Sequence, residues 1–415
     1  MKIFVSHITG NANVKAAVNG FFAAKILAEF NVSLATFDQN LLGRLAAYPS
    51  FAELKRRRFQ NDLAPVTKMW PWLEAGRVML QKLKLHSFTN KLRSPFHINS
   101  VCKNFDRHVS SKVPNLFRQG VTAVYAYEDI AEFTFRRAKQ VGMTCLYDLP
   151  IGYWKAANAL MEAQQQQWPE YFDTIIGFHQ SDAKLLRKEE EIKMADKIFV
   201  ASSFTAKTLQ YHTGKLAPVK VIPYGFPPVF SGNRSYNFGK NRAKLKLLFV
   251  GSLSQRKGIA EIFTAADILK NSVALTVVGT KTKEDCAAIN RELAKHTWIP
   301  TLAHDKILEL MRDHDVLLFP SLFEGFGLVI TEAMSQGTPV ITTDRTAGPD
   351  IIEHGNNGWL IPASSTAALV EAIENILVNP SLIEHAGNAA KKSAVGRPWE
   401  QYGFELAMAV SENQK

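Results

Sequence analysis

The stretch 316–341 restricts the fold more than any other part of this chain. It reads Val-Leu-Leu-Phe-Pro-Ser-Leu-Phe-Glu-Gly-Phe-Gly-Leu-Val-Ile-Thr-Glu-Ala-Met-Ser-Gln-Gly-Thr-Pro-Val-Ile. Four apolar residues form a short buried strand that Pro320 ends, and Gly325 and Gly327 allow a tight turn. Residues 328–336 then read as a helix closed by Gly337, and a second strand follows. Strand, glycine turn, helix and strand in that order make a βαβ unit of a parallel sheet. In such a sheet ligands bind beyond the carboxyl end of a strand, where helix N–H groups converge and favour an anion such as a diphosphate.

Two carboxylates frame this turn. Glu324 sits on the loop and Glu332 lies about one turn inside the helix. A carboxylate accepts hydrogen bonds from paired hydroxyls, so one acid can hold a sugar and the other a ribose on either side of a diphosphate. The alternative is a surface loop Glu and an exposed helix Glu.

The same alternation recurs along the chain. Strands are expected near 2–6, 122–126, 144–147 and 197–201, and again near 245–250, 275–279, 316–320 and 340–343. A chain of 415 residues exceeds one hydrophobic core, so two domains are expected. Turn formers crowd 222–239, ending in Ser-Gly-Asn-Arg-Ser-Tyr-Asn-Phe-Gly, which reads as the linker. The first domain is placed at 1–226 and the second at 241–397, with a tail at 398–415. The run Gln164 to Gln167 reads as an exposed helix or loop.

The turn at 324–332 resembles the Glu-x7-Glu signature of retaining glycosyltransferases of family 4. Phe249-Val250-Gly251-Ser252-Leu253-Ser254-Gln255-Arg256-Lys257-Gly258 is similar to the family's GRLxxxKG phosphate loop, with Ser252 where Arg is usual. Residues 348–362 resemble its later loop and strand. The resemblance implies an α/β chain of the GT-B fold: two facing Rossmann-like domains, with a C-terminal helix crossing back to the first. It implies that Lys257 contacts the donor diphosphate, with Arg256 in place of the missing Arg. Glu324 would meet the transferred sugar with the N–H groups of Gly325, Phe326, Gly327, Leu328 and Val329, and Glu332 would meet the ribose. Trp399 would anchor the returning tail.

The first half resembles the family less closely. His7 ends the first strand, and Gly10 and Asn11 lie in the turn that would face the donor. Glu128 and Asp148 each sit at a strand end, where the cleft of this fold lies. We therefore take Asp148 with Glu324 and Lys257 as catalytic candidates, and His7, Glu128 and Asp148 as acceptor-side candidates.

Composition narrows the partners. Segment 51–120 holds fourteen Lys and Arg against four Asp and Glu, much of the net charge of +11. Around Lys82, Lys84, Lys91 and Arg93, bases alternate with Val78, Met79, Leu80, Leu83 and Leu85, as an amphipathic helix at an anionic membrane surface requires. A solvated face or an acidic acceptor would read alike, and nucleic acid is not expected. Cys102, Cys145 and Cys286 form no CxxC pair. Asp313-His314-Asp315 precedes its strand, which is the wrong end for a DxD metal site, so it reads as a helix terminus. No metal or cofactor is expected beyond the nucleotide sugar as substrate. The first residues lack a signal-peptide layout and no run of about 18 apolar residues occurs; a cytoplasmic protein, peripheral on the membrane's inner face, is expected. The expected activity is sugar transfer to a glycan or lipid-linked acceptor. A nucleotide-sugar epimerase on the same fold and a non-catalytic binding module are the rivals.

Overall fold

In a computed structural model the chain is described at residues 1–38, 43, 54–175, 180–239 and 243–412. Residues 51–53 of the basic segment, 241–242 of the second domain and 413–415 of the tail lie outside the described residues.

Two parallel sheets organise the chain. The first is built from β1 (Ile3–His7), β2 (Leu27–Val32), β3 (Thr67–Met69), β4 (Ala123–Tyr127), β5 (Thr144–Leu149), β6 (Lys197–Val200) and β7 (Val219–Val221). Its order is β3-β2-β1-β4-β5-β6-β7. The second holds β8 (Leu245–Val250), β9 (Val273–Val278), β10 (Thr297–Ile299), β11 (Val316–Phe319), β12 (Val340–Thr343) and β13 (Trp359–Ile361), in the order β10-β9-β8-β11-β12-β13. Every described strand pair in both sheets is parallel. Strand order reverses between β1 and β4 and between β8 and β11. Those are the switch points where this class of sheet opens a crevice.

The helices that place the site are α1 (Ala12–Ala23), α2 (Trp72–Lys82), α3 (Ile98–Arg118), α4 (Trp154–Gln167), α5 (Asp182–Met194), α6 (Ile259–Ile268), α7 (Leu328–Ser335), α8 (Ser381–Gly396) and α9 (Trp399–Ser411). The central strands are continuous apolar runs because both their faces are covered; all of β11 is buried. The eight expected strands all form. The missed ones are β2, β3, β7, β10 and β13. Four of these have three residues each, and β2 carries Ala28, Glu29 and Asn31, which have low strand preference.

The carboxyl ends of the two sheets meet. An added Cβ on Gly325, after β11, would overlap the carbonyl oxygen of Pro150, after β5. The tail returns to the first domain as α9, whose Tyr402, Leu406 and Val410 join the first core. Gly20 of α1 and Gly403 of α9 touch through bare backbone, a contact any side chain would prevent. The two chain crossings run side by side. Phe226 N–H donates to Arg397 O at 2.8 Å, and the Trp399 ring lies 5.8 Å from that of Tyr224.

The linker packs on the second domain: Tyr236 and Phe238 lie on the second core, and the Arg234 guanidinium donates to Gln336 O at 3.1 Å. In the run read as an exposed helix or loop, Gln165, Gln166 and Gln167 are exposed at the end of α4, and one expectation is corrected: Gln164 is buried. Its side chain donates to Ser364 Oγ at 2.8 Å and accepts from Gln255 Nε2 at 3.0 Å, so α4 of the first half packs on the second domain.

Candidate functional site

The corner after β11 is held by the loop after β8. Residues Gln255–Lys257 form a single 3-10 turn capped by Ser254, and Gly258 follows at φ +72°. That left-handed backbone and the adjacent Pro320 carbonyl, which a Cβ would overlap, require glycine there. The Arg256 carbonyl accepts from Leu322 N–H at 2.8 Å and from Ser321 Oγ at 3.1 Å. The phosphate-loop candidate and the Glu324 loop are therefore pinned to each other through backbone.

Their side chains meet as well. Arg256 Nη1 lies 3.0 Å from Glu324 Oε2 and donates to Phe323 O at 2.8 Å, and Lys257 Nζ bonds the same carboxylate oxygen. Lys257 also sits 4.7 Å over the Phe319 ring, a cation–π contact that keeps its ammonium in place. Burial alone would raise the Glu324 carboxyl, but Lys257 and Arg256 outweigh it and hold the group below its usual range. Burial draws Lys257 below the ordinary lysine value, with Glu324 opposing. Two cations and one anion leave one net positive charge beside the start of α7.

That start is built for an anion. Gly327, at φ +90°, precedes Leu328, the first residue of α7, and the first N–H groups of a helix have no partner within it. Leu328 and Glu332 are four residues apart and share a helix face. Burial raises the Glu332 carboxyl, with His304 opposing. The Gly325 carbonyl accepts from Ser202 Oγ at 2.6 Å and Thr205 Oγ1 at 3.0 Å, fixing the loop to the first domain. Ser203 adds a second bridge, its N–H donating to Asp350 Oδ2 at 2.9 Å. The sequence reading missed Ser202, Ser203 and Thr205, whose one signal was a Ser-x-x-Thr cap directly after a strand. Ser252 is half-buried beside Gly251 in the same loop.

The first-domain candidates lie on or just after β1, β4 and β5. Gly10 is buried and a Cβ would collide with the Phe59 ring, while Asn11 is the exposed residue before α1. His7 accepts from Thr9 N–H at 2.9 Å and packs edge-on against Tyr127. Burial lowers its pKa to about 4, with the Thr9 backbone opposing and Arg57 adding to the drop. Glu128 is not a free cleft acid: its carboxylate is buried and lies 2.9 Å from Lys188 of α5. Asp148 is not a cleft residue either. It is buried and accepts from Tyr125 OH at 2.5 Å, and its charge also reaches Tyr127, Tyr224 and Tyr402. A position near the strand end identified it in sequence, where its Tyr125 partner was not legible.

Burial pushes the Asp148 pKa up to about 7, with Tyr125 donation opposing. The folded state therefore holds a proton that the unfolded state has already lost above pH about 4. Stability from this group is full below that pH and falls as pH rises toward 7. Asp148→Asn should remove this slope and raise the stability at pH 8 by on the order of 2–4 kcal/mol, read from urea midpoints at pH 5 and pH 8. An equal loss of stability at both pH values would show that the carboxyl is ionised in the folded protein.

The Asp313-His314-Asp315 run ends a helix, as read. His314 lies 2.9 Å from Thr276 Oγ1, and Asp315 Oδ2 accepts from Lys246 N–H at 2.8 Å. Elsewhere Asp267, Glu292 and His296 bring one ligand atom each within 4.8 Å of one another, but Lys295 bonds both carboxylates, at 2.6 and 2.7 Å.

Residues 234–393 match the family described as "Glycosyl transferases group 1". Glycogen synthase of Mycobacterium tuberculosis is 29% identical over 154 residues, 35% of this chain and 37% of that one. D-inositol 3-phosphate glycosyltransferase of Pseudarthrobacter chlorophenolicus is 26% identical over 264 residues, 60% of each chain. The matches thus span less than two thirds of these relatives' length. Among solved structures, sucrose-phosphate synthase from Thermosynechococcus elongatus superposes with a TM-score of 0.59 at 17% identity, covering 99% of this chain and 98% of that one. Anabaena HepE in complex with UDP-glucose superposes with a TM-score of 0.61 at 16% identity, covering 99% and 100%. At such identities the likeness shows the fold, which is GT-B.

Proposed function

We propose that this chain, similar through its second domain to the group 1 glycosyl transferases, moves a sugar from a nucleotide-sugar donor to a glycan or lipid-linked acceptor. The observation that carries this reading is the clasp of Lys257 and Arg256 on Glu324 beside the start of α7. A nucleoside diphosphate entering there meets two cations and a helix terminus. As it binds, it competes with Glu324 for those cations and frees the carboxylate for sugar hydroxyls. Glu332 accepts from the ribose. As the bond from the anomeric carbon to the phosphate oxygen breaks, negative charge grows on the diphosphate, and Lys257, Arg256 and the α7 N–H groups stabilise it. The acceptor oxygen bonds the anomeric carbon on the face the diphosphate leaves, and its proton passes to the departing phosphate oxygen. The anomeric configuration is then retained.

These cations supply the charge that a metal would otherwise supply, so transfer should proceed unchanged in EDTA. The solved HepE complexes with UDP and UDP-glucose make a UDP-sugar the first donor to try. The test is incubation with labelled UDP-, GDP- and ADP-sugars. Label on an added acceptor supports the proposal, whereas an isomerised donor would establish an epimerase and binding without turnover a non-catalytic module.

The basic segment gives the enzyme a place to work. Glu74, fully buried, ties α2 down through Arg57 at 2.5 Å and bonds Arg77 one turn on in the same helix at 2.7 Å. Trp70 stacks on His108 with ring centroids 3.9 Å apart. Beyond these anchors Trp72, Met79, Leu83 and Leu92 are 62–69% exposed, and Lys82, Lys84, Lys91 and Arg93 stand beside them in the exposed stretch. Apolar anchors ringed by base fit the surface of an anionic bilayer. No single described helix is long and apolar enough to cross one. The enzyme then acts at a membrane face, as assembly of a polysaccharide or glycolipid requires, on the cytoplasmic side where nucleotide sugars are made. It should float with phosphatidylglycerol-containing vesicles and not with neutral ones, and Met79→Glu with Leu83→Glu should lower the bound fraction about tenfold. Equal flotation on both vesicle types would remove the charge argument.

A further inference from the structure

The loop that carries Arg256 and Lys257 is held from outside its own domain. Its backbone is a single 3-10 turn of three residues, Gln255–Lys257. The hydrogen bonds within such a turn are poorly aligned, so it keeps one shape only with help from its surroundings. Here the help comes from residues 164–174 of the first half.

That segment starts on the first domain, where Trp154 Nε1 donates to Glu189 of α5 at 2.8 Å and Tyr153 N–H donates to Thr208 Oγ1 at 2.8 Å. Helix α4 carries the chain across, and a further helical turn, Pro169–Phe172, seats Tyr171 in the second core. Thr174 follows, fully buried. Its carbonyl accepts from Ser254 Oγ at 2.8 Å, and Ser254 Oγ in turn accepts from Arg256 N–H at 3.3 Å. A hydroxyl has one proton, so giving it to Thr174 turns the serine's lone pairs toward the N–H that it caps. The Thr174 hydroxyl donates to Tyr171 O at 2.6 Å and accepts from Gln255 N–H at 2.9 Å. Gln255 is fully buried as well. Its side-chain amide donates to Gln164 Oε1 at 3.0 Å and to Glu261 Oε2 at 2.9 Å, and Trp168 Nε1 donates to the other oxygen of Glu261 at 3.0 Å.

We infer that Thr174 is a positioning residue for the donor site, with Gln164 behind it: together they fix Ser254 and Gln255, and through them aim Arg256 and Lys257 at the diphosphate. Thr174 is buried and its hydroxyl proton is already given to Tyr171, so it acts through the loop and not on a ligand. In a buried network of this kind each group orients the next, and one missing acceptor is felt along the chain of bonds. The inference rests on the reading of this corner as a nucleotide-sugar site.

The test is titration calorimetry of the full chain with UDP, GDP and ADP. Thr174→Val keeps the shape and the carbonyl but removes the acceptor of the buried Gln255 N–H, and it should weaken the nucleotide that the parent binds best by about tenfold. Thr174→Ser restores the hydroxyl and should bind within about twofold of the parent. Asp173→Asn loosens the neighbouring surface pair with Lys283 and leaves the loop untouched, so its affinity should match the parent's. In a Lys257→Met background Thr174→Val should cost less than about threefold, because the loop then has less left to aim. A role in folding alone would instead lower the melting temperature of both valine variants and leave the affinity of the folded molecules where it was. If Thr174→Val does not fold, Gln164→Leu carries the test, with an expected loss of about threefold. Parent affinity in the variant that carries the test would overturn the proposal, and so would effects of Thr174→Val and Lys257→Met that multiply in full. A parent chain that binds none of the three nucleotides would bring down the donor reading itself, which an unaffected variant of a nucleotide-binding parent would not.

Discussion

Lys257→Met should lower transfer by about a thousandfold while leaving the melting temperature nearly unchanged. Removal of one preorganised charge at a developing oxyanion typically costs about 10²–10³ in rate, and Lys257 stands at the upper end because its ammonium is buried and held over Phe319. The thermal shift given by the donor should fall with it. Glu324 then keeps only Arg256 as cationic partner, so its carboxyl moves upward toward the value that burial dictates. Adding Glu324→Gln to Lys257→Met should therefore cost much less than the product of the two single effects, because members of one ion cluster do not add. Glu332→Ala should weaken donor binding about tenfold or more with a smaller change in the chemical step, since a ribose contact acts equally before and during bond breaking. If Lys257→Met and Glu332→Ala both leave the donor-induced shift intact, the nucleotide binds somewhere else.

What the sequence disclosed follows from how local each feature is. The β11–α7 corner was legible because glycines, a proline and two acids within one short segment determine its backbone without outside help. Lys257 was legible as a member of a loop, but its bond to Glu324 was not, because the chain between them runs through three strands. The partners of Asp148 and Glu128 were hidden for the same reason. Each acid is at or next to a strand end, where this topology usually leaves acids free, yet Asp148 is buried and accepts from Tyr125 OH and Glu128 is paired with Lys188 sixty residues on. The basic, apolar face around α2 was legible from composition alone. Its buried counterpart, Glu74 between Arg57 and Arg77, was hidden among the charges that made the segment conspicuous.

The domain contact at Gly325 should be as sensitive as the charges. A Cβ there would meet first the Pro150 carbonyl and the Ile151 Cα of the other domain. The backbone at Gly325 is not left-handed, so alanine is tolerated locally. The strain is relieved only if the two domains draw apart, which would break the bonds from Ser202 and Thr205 to the Gly325 carbonyl. Gly325→Ala should thus leave the melting temperature within a few degrees of the parent but lower transfer by about a hundredfold, the scale of a displacement of about 1 Å between reacting groups. UDP, which the proposed function seats mainly on the second domain, should bind within about threefold of its normal affinity. Gly258→Ala is the control. Its clash with the Pro320 carbonyl lies inside one domain and its φ is +72°, so it should destabilise the second domain by about 2–4 kcal/mol and weaken UDP binding as well. Scattering should show a larger radius of gyration for Gly325→Ala than for the parent. If Gly325→Ala transferred sugar at the parent rate, the contact between Gly325 and Pro150 would have no part in assembling the site.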